Sequence, residues 1–221
     1  MYGSGFFPAE ENEYYKTEKD DLYLVGTAEV PLAAYHSNEI LKKDELPKKY
    51  FAYSSCFRRE AGSYGKDTKG ILRVHQFDKV EMFIYADPAN SWDIYEDELA
   101  QISEEILQEL NLPYQKLLMC GGDIGMPNAK KYDFEVWMPA QDKYRELMSC
   151  SHDTDFQARR LKIRYKDEEG KVKYAHTMNN TALAIGRALI AILENYQQKD
   201  GSVKIPAALH GYLDFDEIRP K

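Results

Sequence analysis

The sequence predicts an α+β protein built on antiparallel strand pairs with helices between them. Three observations carry this reading. The stretches 49–60 and 71–86 have the period-two alternation of strands and flank a polar loop holding Gly62, Gly65 and Gly70. A second pair, 132–138 and 144–149, is joined only by the turn at 139–142, too short a link for a parallel crossover. Two longer stretches, 91–110 and 181–197, repeat apolar residues near helical spacing.

The 221 residues, 43% of them hydrophobic, suit one large domain with a full core. No apolar run approaches a membrane span and no signal-peptide pattern opens the chain, so a cytoplasmic protein without a membrane partner is expected. Cys56, Cys120 and Cys150 lie far apart without CxxC spacing and read as reduced thiols. A formal net charge of −8 argues against a general nucleic-acid binder, so any RNA contact is local. The 17 tyrosines read as amphipathic core and rim residues.

Taken in order, 1–21 is irregular and 22–25 is a short strand candidate. Thr27 and Glu29 follow, placed either to line a pocket or to cap a helix over 32–41. After the first hairpin comes the helix 91–110, whose acidic face is solvated, and then a strand over 114–119. On 132–138, Tyr132, Phe134, Val136 and Met138 share one face, Asp133 and Glu135 the other. A short helix is predicted over 151–161, then a hairpin of 162–166 with 172–177. The helix 181–197 contains Gly186, which suggests close packing on a sheet, and Arg187, either a surface cation or a phosphate ligand. The tail from 201, with Ile205, Pro206, Leu209 and Leu213, is expected to dock on the core.

The first hairpin holds the chemistry. Ala52, Ser54, Cys56, Arg58 and Glu60 share one face of its first strand, and Arg73, His75, Phe77, Lys79 and Glu81 share one face of its second. Two arginines, an aromatic ring and two carboxylates can converge on one cavity, a set that suits a nucleotide triphosphate and a small amine. A solvated charged face is the alternative reading. The loop is not a P-loop: Gly65 and Gly70 have the right separation, but Ile71 stands where the lysine belongs.

Six stretches in order are TAEVPL at 27–32, FRREAGSYGKD at 57–67, RVHQFDKVE at 73–81, YDFEVWMP at 132–139, YRELMSCSHDTDFQARR at 144–160 and TALAIGRALIAILENYQ at 181–197. Together they resemble the catalytic domain of the seryl-tRNA synthetases, which are class II aminoacyl-tRNA synthetases. The resemblance implies an antiparallel sheet flanked by helices. It implies a serine site at Thr27, Ala28, Glu29, Arg58, Glu81 and Thr181, with Glu81 receiving the ammonium. It implies an ATP site at Arg58, Arg59, Glu60, Arg73, Val74, Phe77, Glu146, Leu147, Met148, Ser149 and Arg187. In that site Arg58 meets the α-phosphate, Phe77 stacks on adenine and Arg187 meets the terminal phosphate, so Arg58 and Arg187 are the catalytic candidates. Glu146 and Ser149 would hold Mg²⁺; three residues apart, they need a bulge to converge.

Implied partners are L-serine, ATP and the acceptor end of tRNA(Ser), in an enzyme that is a homodimer at full length. The family also carries a coiled-coil arm and a motif 1 element ahead of the point matched by residue 1. Residues 1–221 are therefore expected to be one catalytic adenylation domain, N-terminally incomplete and without the arm. The family commonly has Asn-Gly before the Thr181 position; Asn179-Asn180 stands here, and asparagine tolerates left-handed backbone angles. The reaction implied is serine activation to seryl-adenylate followed by transfer to tRNA. Two other readings remain: a non-catalytic fold that binds ATP or an adenylate, and a ligase that loads amino acids onto a carrier protein. The second would need a Cys/Glu/Cys zinc set that the sequence does not match.

Overall fold

The computed structural model describes residues 1–8, 11–61 and 70–220; Gly62 and Gly65 of the predicted loop lie outside the described residues. Its centre is a six-stranded sheet of β1 (Lys48–Phe57), β2 (Gln76–Ala86), β3 (Tyr114–Leu118), β4 (Lys130–Met138), β5 (Lys143–Thr154) and β6 (His176–Ala184). The spatial order is β1-β2-β6-β5-β4-β3, and every neighbouring pair is antiparallel. Two of the three hairpins predicted from the sequence lie in this sheet, as β1-β2 and β4-β5. β6 enters between them and joins them into one sheet.

Alternation along the strands sends successive residues to opposite faces. On β2, Ile84 and Ala86 join one core, and Phe83 and Tyr85 join another. The first core takes Phe134, Val136 and Met138 from β4 and Met178 from β6. It packs them under α2, which runs as Ser91–Ile94, a π-helical turn Tyr95–Leu99 and Ala100–Glu109, and under α4 (Ile185–Tyr196). The second core lies beneath α1 (Glu29–Ala34) and α3 (Phe156–Leu161), with Ala33, Ala158, Ile163 and Tyr165. Fully burying one such aliphatic or aromatic side chain contributes roughly 1.5–3 kcal/mol. A small sheet stands beside them: Ile40–Lys42 runs parallel to Arg164–Lys166, which pairs antiparallel with Val172–Tyr174.

Several elements differ from expectation. Residues 22–25 form no strand; nearby, Lys16 makes an isolated bridge to Tyr23 and Phe57 N–H donates to Val25 O. The helix predicted over 32–41 is α1, which ends at Ala34. Asn38 adopts a left-handed φ of 67° and its N–H donates to Leu161 O, which turns the chain into Ile40–Lys42. The helix predicted from 181 starts at Ile185, because Thr181–Ala184 pair with β2, from Glu81 opposite Thr181 to Lys79 opposite Ala184. Tertiary pairing overrides the local pattern there. For the same reason 151–154 extend β5, and α3 begins only at Phe156. In the tail, Leu209 packs against the first core, while Leu213 is exposed.

Asn180 is not left-handed. It is an extended, buried residue of β6 whose Nδ2 donates to Leu99 O at 2.6 Å and to Ser103 Oγ at 2.8 Å, tying the sheet to α2. Asn180→Ala should therefore lower unfolding stability by about 1–3 kcal/mol, because it leaves buried acceptors unpaired. Urea unfolding of the variant checks this, and an unchanged midpoint would remove Asn180 as an anchor.

Candidate active site

A cavity of about 440 Å³ opens on the face of the sheet that carries Phe77, Lys79 and Glu81. β2 supplies those three residues. The segment before β2 supplies Arg73 and Val74, and the segment after β1 supplies Arg58 and Glu60. Thr27 and Glu29 enter from the start of α1, and Phe6, Glu13 and Tyr14 from the N-terminal segment. Gly26 allows this approach: a Cβ there would collide with the Tyr14 ring, and Gly26 O accepts from Arg58 Nε at 3.1 Å.

Two register shifts complete the lining. On β5, Met148 lies opposite Phe134 and Glu146 opposite Glu135, so Leu147 is an extra residue. The bulge brings Glu146 and Ser149 to the same cavity although they are three apart. On β6, Thr181 lies opposite Glu81 and Leu183 opposite Val80, so Ala182 is extra and both Thr181 and Ala184 line the cavity. Gly186 and Arg187 follow at the start of α4. Gly186 does not serve close packing: a Cβ there would meet nothing within 4 Å, so the glycine borders open space.

One end of the cavity is a dense set of buried charges. Glu81 and Lys79 form an ion pair at 2.5 Å, and Thr27 Oγ1 donates to Glu81 Oε2 at 3.2 Å. Glu29 is held by Gln157 Nε2 at 2.9 Å. Burial pushes its carboxyl well above the usual range. Asp153 and Glu81 add to the effect, while Lys79 and the Gln157 hydrogen bond oppose it. Behind the wall, burial pushes the Asp153 carboxyl up to about 7, against hydrogen bonds from Asn128 and Asn179. A zwitterionic amine fits such an end because its ammonium can replace a lysine as the counter-ion of a carboxylate.

The other end gathers guanidinium groups. Arg187 donates to Glu146 O at 2.6 Å and approaches the Glu146 carboxylate at 3.8 Å. Burial lowers its pKa. The Glu146 carboxylate opposes this, and Arg73, Arg58 and Arg145 add to it. Arg73 pairs with Glu60, while its Nε is buried with no partner among the described residues. Arg58 lies over the Phe77 ring, 5.3 Å from its centroid. A smaller cavity of about 200 Å³, lined by Arg73, Arg145 and Arg187, adjoins the first. Cations crowded in this way are stabilised by polyanions, above all phosphates. Glu146 and Ser149 offer one carboxylate and one hydroxyl beside them. That donor set fits Mg²⁺, which takes one or two protein oxygens together with substrate phosphates. Among the described residues, no group of three or more His, Cys, Asp or Glu side chains could hold a metal by itself.

Three expected site residues lie outside the lining. Ala28 is buried beneath the start of α1, Arg59 is exposed with its N–H bonded to Glu13 O, and Met148 packs into the core behind the sheet. His75, predicted on the face of Phe77, turns away to Tyr15 OH at 2.9 Å. Lys79 and Asn179 line the cavity although neither was singled out. Lys79 was legible by parity, since it lies two residues from both Phe77 and Glu81. Asn179 was not, because its stretch borders a segment with a helical pattern.

Residues 12–196 match the family described as tRNA synthetase class II core domain (G, H, P, S and T). The chain is 54% identical over 216 residues to the serine–tRNA ligase of Thermotoga petrophila, which covers 97% of this chain and 51% of that protein. A seryl-tRNA synthetase from Pyrococcus horikoshii, crystallised with ATP, superposes with a TM-score of 0.94 at 53% identity, covering 99% of this chain and 49% of that one. A cytoplasmic serine–tRNA ligase from Naegleria fowleri, in complex with AMP, gives 0.92 at 39% identity, covering 100% and 53%. The chain spans about half the length of the curated relatives it matches.

The buried carboxyls set a pH dependence. A carboxyl with a raised folded-state pKa binds more protons folded than unfolded, so its contribution is full below pH 3.8 and is lost as pH rises through about 7. His152 and His176 work the other way, since burial lowers both. The carboxyl effect is therefore read as a difference. Between pH 5 and 8, the parent should lose roughly 1–3 kcal/mol more stability than Asp153→Asn in chemical denaturation. Parallel pH profiles would place the Asp153 pKa in its ordinary range.

Proposed function

The chain belongs to the tRNA synthetase class II core domain family, and from that premise we propose that it is the catalytic core of a serine–tRNA ligase. It activates L-serine with ATP to seryl-adenylate and passes the seryl group to the terminal ribose of tRNA(Ser). One observation carries this reading: a single cavity joins a buried carboxylate end, Glu81 with Thr27 and Thr181, to an arginine end that Phe77 also lines. The likeness to serine–tRNA ligases and to seryl enzymes crystallised with ATP or AMP supports it.

The chemistry needs little beyond placement. The serine carboxylate is ionised at neutral pH, so no general base is required. Its oxygen attacks the α-phosphorus in line, the bond to the bridging oxygen breaks, and pyrophosphate leaves. Glu81 takes the ammonium in place of Lys79. Arg58, at the arginine end, steadies the α-phosphate and the attacking carboxylate. Arg73 and Arg187 offset charge on the departing phosphates. Phe77 provides a stacking surface for the base. Glu146 and Ser149 would hold Mg²⁺, which would neutralise phosphate charge when bound. Serine is preferred over alanine because buried polar groups are left unpaired without the hydroxyl.

Serine-dependent exchange of pyrophosphate into ATP tests the activation step, with alanine and threonine as controls. Exchange with serine alone is expected. ATP binding without exchange would instead favour a non-catalytic nucleotide-binding fold. Arg58→Ala should lower exchange by roughly 10²-fold or more. Glu81→Gln should raise the serine KM while leaving the ATP KM within about twofold; equal losses for both would remove Glu81 from the ammonium site. Charging of tRNA(Ser) by the same preparation tests the transfer step.

A further inference from the structure

Asp153 lies behind the cavity wall and makes no contact with open space; it is fully buried. It owes its place to a third register shift. His152 lies opposite Met178 and Thr154 opposite Thr177, so Asp153 is the extra residue, followed by Thr154 at a left-handed φ of 48°. Both its oxygens are occupied. Oδ1 accepts from Asn128 Nδ2 at 2.7 Å, and Oδ2 accepts from Asn179 Nδ2 at 3.1 Å. Asn128 is itself oriented, because its Oδ1 accepts from Gly125 N–H at 2.9 Å.

This arrangement has a definite polarity. An ionised carboxylate only accepts hydrogen bonds, so both asparagines must turn their NH₂ groups towards it. For Asn179 that choice matters, because Asn179 lines the cavity. With its NH₂ engaged behind the wall, Oδ1 is the amide atom left for the cavity, and no donor among the described residues bonds it. On β6, Thr181 stands opposite Glu81 and Asn179 opposite Phe83. Asn179 is therefore two residues along β6 from Thr181 and lines the same cavity.

We propose that Asp153 is a positioning residue for substrate selection: it fixes the Asn179 carboxamide so that Oδ1 accepts a hydrogen bond from the hydroxyl of serine. This rests on the serine-activating reading given above. Alanine brings no donor to that atom and leaves a desolvated acceptor unpaired, which penalises it. The loop holding Gly125 and Asn128 thereby acts on the pocket without touching the substrate.

The test is binding of two adenylate mimics, seryl- and alanyl-sulfamoyl adenosine, measured by calorimetry, with AMP as the control. It is run at pH 8, above the value near 7 to which burial pushes the Asp153 carboxyl. The variants are Asp153→Asn and Asn128→Ala. An asparagine at 153 offers one oxygen to two amide donors, so Asn179 loses its fixed orientation. In Asp153→Asn, the seryl mimic should bind roughly tenfold more weakly, with the alanyl mimic and AMP within about threefold. Equal weakening of both mimics would mean a structural role only, and no change would mean no role; either overturns the proposal. Should Asp153→Asn fail to show a cooperative melt, Asn128→Ala decides. That residue is only half-buried, and a loss of about threefold confined to the seryl mimic is expected. A parent chain that does not prefer the seryl mimic would sink the serine reading and this proposal with it. A parent that prefers it, with variants that keep the preference, would sink this proposal alone.

Discussion

A strand presents alternate residues to one face, so two side chains three apart cannot share a cavity while the ladder stays regular. In this sheet the constraint is relieved at Leu147 on β5 and at Ala182 on β6. The first extra residue lets Glu146 and Ser149 face the same space, and the second does so for Thr181 and Ala184. Each bulge leaves a residue outside the ladder, a local cost that the surrounding sheet over-determines. The cavity thus depends on irregularities that only a well-packed sheet can hold in place. The packing behind it, from Phe134 and Met148 to Leu99 and Ala188, supplies that rigidity.

Electrostatics divide the cavity as sharply as geometry does. The Glu29, Glu81 and Asp153 carboxyls crowd one end, eased by Lys79 and by amide donors. At the other end Arg187 is pulled down by burial and by its arginine neighbours. Neither cluster is at its best in isolation. Each would be relieved by a ligand of opposite sign, and the two requirements together describe a zwitterionic amine beside a polyphosphate. Preorganised charge of this kind reorganises little when such a ligand binds.

Much of this was legible in the sequence where physical rules act locally. The two hairpins followed from alternation and link length, and Phe77, Lys79 and Glu81 fell on one face by parity alone. The need for a bulge between Glu146 and Ser149 also followed from spacing. What escaped was non-local. Thr181–Ala184 carry a helical pattern, yet they form strand because β2 offers them ladder partners. Arg59 and Met148 belong to motif stretches, but Arg59 is exposed beyond the end of β1 and Met148 packs into the core, so neither lines the cavity. The part played by Asp153 was hidden for a related reason. Its partners Asn128 and Asn179 are 25 and 26 residues away, on either side of it in the chain.

The strand order also bears on how the molecule comes into being. β1 and β2 can pair as soon as both are made, and so can β4 and β5, since each pair is close in the chain. β6 begins at His176, some hundred residues after the β2 strand it joins, and among the described residues it is the only strand that touches both halves. Until it slots in, Glu81 and Ser149 sit on separate pieces with open edges on each. On a translating ribosome the face that carries the cavity is therefore completed late, after the strand that closes the sheet has emerged. The half-sheets that precede it are the form of this chain most open to edge-to-edge association.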